Sequence, residues 1–329
     1  MQVTFLIGNG FDLNLGLNTR FADFFPTYLA IPTNDPIVAE FKELLNQDQD
    51  EFPHWSDFER ALGLNTDTPP LNTSEGILTC IRDFEYYFSR YLKEQQSRID
   101  FDSCALPMLN RLRMDLRDHL SLLPSRPAAA LRDALPDGEP VTYNILNFNY
   151  TTILDCLLGS PLPPFMGKHI HVHGTFSLGM ILGVDNLNQI MNPKVFTSPS
   201  QQRMLLKPLL NRQFDQNNDE EALGCIEASD EICIFGMSLG ETDLTWWQRI
   251  HLWLKDNPNH HLLIFSRGSG LAPLYPYDTI THQEKLTCRF LSFGNALDLI
   301  VSGRVHVVIT DQLFNLSPVL APAPVPASV

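Results

Sequence analysis

Thr4 to Leu17 reads TFLIGNGFDLNLGL, and the glycine turn in its middle decides the fold. A short apolar run rich in β-branched and aromatic residues ends at Gly8-Asn9-Gly10, and a helical pattern follows. The stretch is therefore expected to be a buried strand, a turn and a helix. Such a unit can place backbone N–H groups around a phosphate. The turn GNGFD is neither GxGxxG nor a Walker loop. Gly8 and Gly10 are expected to let the chain turn sharply and let a ligand approach without meeting a Cβ atom. A tight turn that binds nothing is the plainer alternative. Asp12 suits a phosphate poorly because a carboxylate repels it, and ribose hydroxyls or helix N-terminal amides are its expected partners.

Working outward, similar runs occur at Val141–Phe148, His169–Val172, Glu231–Phe235, His261–Phe265 and Arg304–Ile309. They are too apolar for a one-sided antiparallel sheet, and helical patterns separate most of them. The expected fold class is therefore α/β, with a mainly parallel, Rossmann-like sheet flanked by helices. Between the first two runs lie helical patterns. Ile77, Ile81, Phe84, Phe88 and Tyr91 recur at helical spacing, as do Leu109, Leu112, Leu116 and Leu120. A large helical insertion, about residues 21–135, is expected after the first βα unit of a single domain spanning 1–315. Pro-rich stretches at Thr66–Leu71 and Leu123–Pro127 read as connections. Residues 316–329 read as a flexible Pro/Ala-rich tail.

The chain has 329 residues, 44% of them hydrophobic, which suffices for a large core. Its formal net charge of −15 opposes nonspecific nucleic-acid binding, which depends on Lys and Arg displacing counterions. Six cysteines are scattered with no CxxC pair, so buried free thiols in a reducing compartment are expected. No basic segment leads an apolar one at the N-terminus, and no apolar run reaches the roughly 20 residues that cross a bilayer. A cytoplasmic protein with no membrane partner is expected.

Four further stretches carry candidate chemistry. In LNFNYT, Asn147 and Asn149 stand two residues apart at a strand end, where their amides could orient a ribose or a water. Asx-turns closing the strand are the alternative. In KHIHVHG, His169, His171 and His173 alternate and could bind zinc if the strand is regular. The reading favoured here places His173 in the cleft without a metal. In ICIFGMSLGETD, Gly236 and Ser238 form a second glycine and serine turn, with Asp243 at the start of the next helix. In HWSDFE, Trp55, Asp57 and Glu59 offer paired carboxylates, which more often cap a helix and face water than do acid–base work.

Together, FLIGNGFDLNLGLNTRFADF, WSDFE, NFNYTTIL, HVHG and FGMSLGETD resemble the bacteriophage abortive-infection AbiH family, in the family's order and over nearly the whole chain. More distantly, the series is similar to sirtuins and sirtuin-like NAD hydrolases, whose pattern reads GAGxS, TxNxD, HG and GxSL. Gly8 and Gly10 stand at the first glycines, Asn149 at the asparagine, His173 at the catalytic histidine, and Gly236 with Ser238 at the ribose-side turn. Asp12 replaces the serine, Asn147 the threonine and Thr151 the aspartate. The zinc ribbon is absent, which argues against a protein deacylase. The resemblance implies a sirtuin-like fold in an anti-phage effector that binds NAD or a related nucleotide as its substrate. It would be an NAD glycohydrolase, with Asn149 and His173 catalytic and no metal required. Gly8, Asn9, Gly10, Asp12, Asn147, Gly236, Ser238 and Asp243 would hold the nucleotide. A phage-derived trigger and a homo-oligomer are compatible with this reading. Two alternatives stay open: a metal-dependent nuclease or phosphoesterase using His169, His171 and His173 with Asp57 or Glu59, and a noncatalytic nucleotide sensor.

Overall fold

The computed structural model describes residues 1–51, 58–123, 131, 140–196, 198–213, 218–268, 276–294, 303–318 and 320. Trp55, Asp57, the end of the expected insertion and most of the expected tail lie outside these residues.

The first strand, β1 (Gln2–Ile7), is fully buried beyond its first residue because both of its faces are covered. Val3, Phe5 and Ile7 point into one apolar cluster and Leu6 into the other, as the two-residue period of a strand requires. It pairs in parallel with β2 (Thr142–Asn147) and with β6 (Glu231–Phe235), Ile7 lying level with both Asn147 and Phe235. Beyond β2 lies β3 (Met166–His171), and beyond β6 lie β7 (His261–Ser266) and β8 (Val305–Ile309), all parallel. The order is β3-β2-β1-β6-β7-β8, with a separate hairpin of β4 (Gly174–Thr175) and β5 (Gly179–Met180). The chain winds one way from β1 to β3 and the other way from β6 to β8. The switch between β1 and β6 opens a crevice at the carboxyl ends of the strands.

One face of the sheet is covered by helices Phe101–Asp118 and Ile153–Leu158. Helices Asn218–Glu227, Leu244–Asp256 and Pro276–Leu291 cover the other. Helix Phe101–Asp118 falls within the segment read as an insertion, yet it packs on the sheet through Met108, Leu112 and Leu116. The rest of that segment forms a cap with its own core. Helices Phe21–Ala30, Pro36–Glu51, Phe58–Leu64 and Ser74–Ser97 meet there around stacked Phe58 and Phe84 rings, 3.9 Å apart at their centroids. The Ser74–Ser97 helix begins where the Thr73 hydroxyl accepts the Gly76 N–H. Leu182, Val184, Phe196, Leu205 and Leu206 complete the cap core from far along the chain. Cys80, Cys104, Cys225 and Cys233 are buried free thiols, whereas Cys156 and Cys288 are exposed ones. Among the described residues, no helix is long and apolar enough to cross a membrane.

The two glycine turns lock together. Gly8 N–H donates to the Phe235 carbonyl and Gly10 N–H to the Gly236 carbonyl, both at 2.9 Å. A Cβ atom on Gly10 would lie 2.4 Å from the Gly236 Cα, and one on Gly8 2.8 Å from the Gly236 carbonyl oxygen. The neighbouring turn alone therefore requires glycine at both positions. Gly236 itself has φ +69, in the left-handed region. Gly10→Ala is expected to destabilise the fold by about 1–3 kcal/mol through overpacking. Gly236→Ala should cost more, because roughly 1–2 kcal/mol of backbone strain is added. Gly224, an exposed position of helix Asn218–Glu227 with open space at its Cβ position, should gain about 1 kcal/mol as Ala. Urea unfolding of the three variants tests the order; a neutral Gly10→Ala would remove the turn contact as a constraint.

Candidate functional site

Past the carboxyl ends of β1, β2 and β6, the turns and the cap enclose a cavity of about 380 Å³. Gly8, Asn9, Gly10 and Asp12 line it from the first turn, Phe148 to Thr151 from the second, and Gly236, Ser238 and Asp243 from the loop after β6. His173 enters from the segment beyond β3; Arg20, Phe21 and Glu59 close it from the cap. Every residue singled out for catalysis or nucleotide binding reaches this cavity except Asn147. Its Oδ1 accepts the Asn149 backbone N–H at 3.0 Å, so it closes the strand as an Asx-turn and turns away from the cavity.

The expected phosphate cradle takes a different form. Gly8 and Gly10 amides are bound across to the β6 turn, and Phe11 N–H donates to the Gly8 carbonyl. The helix that follows, Gly10–Asn14, is only five residues long. Asn9 holds the turn, its Oδ1 accepting the Thr19 hydroxyl at 2.5 Å. Asp12 caps nothing. It is buried, its Oδ2 accepts the Thr151 hydroxyl at 2.8 Å, and its Oδ1 meets no protein donor among the described residues. Burial pushes its carboxyl up to about 7, opposed by the Thr151 hydrogen bond.

Asn149 is the most unusual group of the site. It is 5% exposed, and neither Oδ1 nor Nδ2 has a protein partner among the described residues. Leaving a buried donor and acceptor unmet costs roughly 1–3 kcal/mol each. Such an amide is suited to a ligand that offers both a hydroxyl donor and an acceptor.

Lys207 stands behind it, with its side chain 4% exposed. Its Nζ lies 2.5 Å from Glu59 Oε2, 3.4 Å from Asp243 Oδ1 and 3.3 Å from the Thr242 carbonyl. Burial works against its charge, but Asp243 and Glu59 more than offset this and hold its pKa above the ordinary lysine value. Glu59 also accepts the Tyr150 hydroxyl at 3.2 Å and the Gly183 N–H at 3.4 Å. It is thus a buried network member, contrary to the expectation of a wet helix face.

His173 Nε2 lies 3.4 Å from Asp243 Oδ1. Burial, aided by Lys207, pushes the imidazole down to about 3 against the pull of Asp243, so the ring is neutral near pH 7. It is a hydrogen-bonding group there, and Asp243 supplies the countercharge if it takes up a proton. The three alternating histidines do not act together. β3 ends at His171, so His173 turns into the cavity while His169 and His171 face Asp155.

Lys207 and Tyr150 were not singled out from the sequence. A lone lysine inside the apolar stretch Met204–Leu210, MLLKPLL, is the signal that marks it as buried and therefore paired.

A doubly wound α/β sheet with a polar cavity at its switch point is a Rossmann-like layout, and open sheets of this kind commonly take ligands at that place. Residues 4–264 match the family model described as Bacteriophage abortive infection AbiH. The chain belongs to this family, which places its function in phage abortive infection. No curated protein matches it.

Two predictions follow from the charges. Asp12 binds its proton more tightly folded than unfolded, so its contribution is full below pH 4 and declines as pH rises towards 7. The decline is at most about 1.4 kcal/mol per pH unit. Asp12→Asn keeps an acceptor for Thr151 without titrating, so it should exceed the wild type in stability above pH 7, the gap narrowing towards pH 4. Urea unfolding at a series of pH values reads this, and parallel curves would refute it. Lys207→Met strands the buried Glu59 carboxylate and takes the cation from the partly buried Asp243, and should cost about 3–5 kcal/mol. Adding Glu59→Gln should recover part of that loss in thermal melts; no recovery would mean the pair is not coupled.

Proposed function

We propose that this abortive-infection protein binds NAD or a related nucleotide in the cavity and hydrolyses its N-glycosidic bond. The observation that carries the reading is the Asn149 amide, buried with both polar atoms unpaired in the wall of a cavity at the switch point. Paired hydroxyls of a ribose supply the donor and acceptor it lacks.

The charges of the wall suit the same chemistry. When the bond between ribose C1′ and the base nitrogen breaks, the electron pair leaves with the base and positive charge develops on the sugar. Two carboxylates, Glu59 and Asp243, share one lysine, so this network carries one net negative charge beside the reacting sugar. Preorganised charge of that sign stabilises the cation. Asn149 positions the ribose and the incoming water. His173, with Nε2–H towards Asp243, offers Nδ1 as acceptor for a ribose hydroxyl or for the water, and the proton released goes on to solvent. Asp12, protonated below about pH 7, adds an uncharged partner for a ribose hydroxyl. Since the Gly8 and Gly10 amides are engaged, the phosphates would lie towards Arg20, an exposed cation at the rim.

Mass spectrometry of small molecules that copurify with the protein identifies the ligand class. Purified protein should release nicotinamide from NAD, and Asn149→Ala should abolish release and cell toxicity while melting as the wild type does. His173→Ala should lower turnover roughly 10²–10⁴-fold, the range of positioned acid–base groups. Turnover unchanged in both variants would remove these residues from the mechanism. Nucleotide binding without any turnover would make the protein a sensor.

A further inference from the structure

At the outer edge of the sheet, outside the cavity, two histidines and a carboxylate face one another. His171 Nε2 lies 2.8 Å from Asp155 Oδ2 and His169 Nδ1 lies 3.6 Å from Asp155 Oδ1. The two rings are 5.0 Å apart at their centroids. One ligand atom from each residue lies within 4.8 Å of the others. The local structure explains the convergence. His169 and His171 are two apart on the edge strand β3 and so share a face. Asp155 sits in the first turn of helix Ile153–Leu158, which crosses from β2 to β3.

His171 has partners at both ring nitrogens, with Nδ1 3.2 Å from the Asn149 carbonyl and Nε2 2.8 Å from Asp155 Oδ2. The tautomer with its hydrogen on Nδ1 would donate to that carbonyl and leave the Nε2 lone pair facing the carboxylate, the form in which a histidine binds a metal ion.

We propose that Asp155, His169 and His171 form a binding site for a divalent transition-metal ion of the zinc type, coupled to the cavity through the main chain of Asn149. Two imidazoles and one carboxylate are a zinc donor set that leaves a coordination position open. The His171 Nδ1–H···O=C Asn149 bond is the outer-shell contact that orients such a ligand. Access differs between this cluster and the other candidate group, His119, Glu231 and Cys233, which is buried throughout. The Asp155 side chain is 45% exposed and gives an ion a way in. Ligation by His169 Nδ1 places the ring hydrogen on Nε2, 3.4 Å from the Asn147 amide nitrogen. That contact is longer than an ordinary hydrogen bond and is given up for the metal bond. The ion would fix the turn that carries Asn149, so loading would tune the cavity without entering it. The inference concerns metal binding alone and stands whether or not the cavity cleaves NAD.

The test is calorimetric titration of the chelator-stripped full chain with Zn²⁺, with elemental analysis after dialysis. One ion per chain is expected, with a rise in melting temperature. Asp155→Ala, at a half-exposed position, should fold and lose at least tenfold in affinity together with the thermal shift. His169→Ala and His171→Ala should do likewise, whereas His173→Ala should still bind one ion. Absence of a one-to-one ion, or wild-type affinity in Asp155→Ala, overturns the proposal. Loss of the ion in His173→Ala at unchanged melting temperature also overturns it, since the site would then be the three histidines of one segment.

Discussion

The ammonium of Lys207 is almost wholly withdrawn from water, and the arrangement of the site follows from that constraint. Removing such a charge from solvent costs several kcal/mol unless partners are held in place. Its partners come from two separate parts of the chain: Glu59 from the cap, and Asp243 with the Thr242 carbonyl from the loop after β6. The cap therefore cannot slide over the sheet without uncovering an unpaired ion. Tyr150 extends the lock, donating to Glu59 and to the Ile181 carbonyl. Five segments, that of Lys207 included, are thereby held in one geometry around the cavity.

The same groups set the electrical character of the cavity wall. Burial depresses the His173 pKa, Lys207 adds to this, and Asp243 partly restores it. A substitution at Glu59 or Asp243 thus alters both docking and potential, and its phenotype mixes the two. Asn149 is different in kind. It holds nothing together through its side chain, so what its amide does can be read without disturbing the frame.

Much of the frame is legible from sequence because strands covered on both faces read as continuous apolar runs. All six runs become strands, each within a few residues of its expected ends. Their order is not legible, since pairing partners are set by packing far along the chain. At the site, strand ends are informative: Asn149, His173 and the glycines converge on one cavity, although what they do there is not written in their spacing. What the sequence does not tell of Gly10 is that the atom forbidding its Cβ belongs to Gly236. Asn147 escapes the two-residue alternation because the strand ends at it, freeing its side chain to bind the next turn. Glu59 looks like an ordinary surface charge, as burial is a property of the assembled molecule, and the apolar neighbours of Lys207 mark it as buried without naming its partners.

The central position of β1 has a consequence for how the protein comes into being. Gln2–Ile7 emerges from the ribosome long before Thr142–Asn147 and Glu231–Phe235, the two strands it must lie between. Contacts of such separation close slowly, since loop entropy must be overcome before they stabilise anything. The cavity needs residues from Gly8 to Asp243, so a nascent chain has no cavity until most of it has been synthesised. A translation product that stops short of Asp243 therefore lacks a complete cavity.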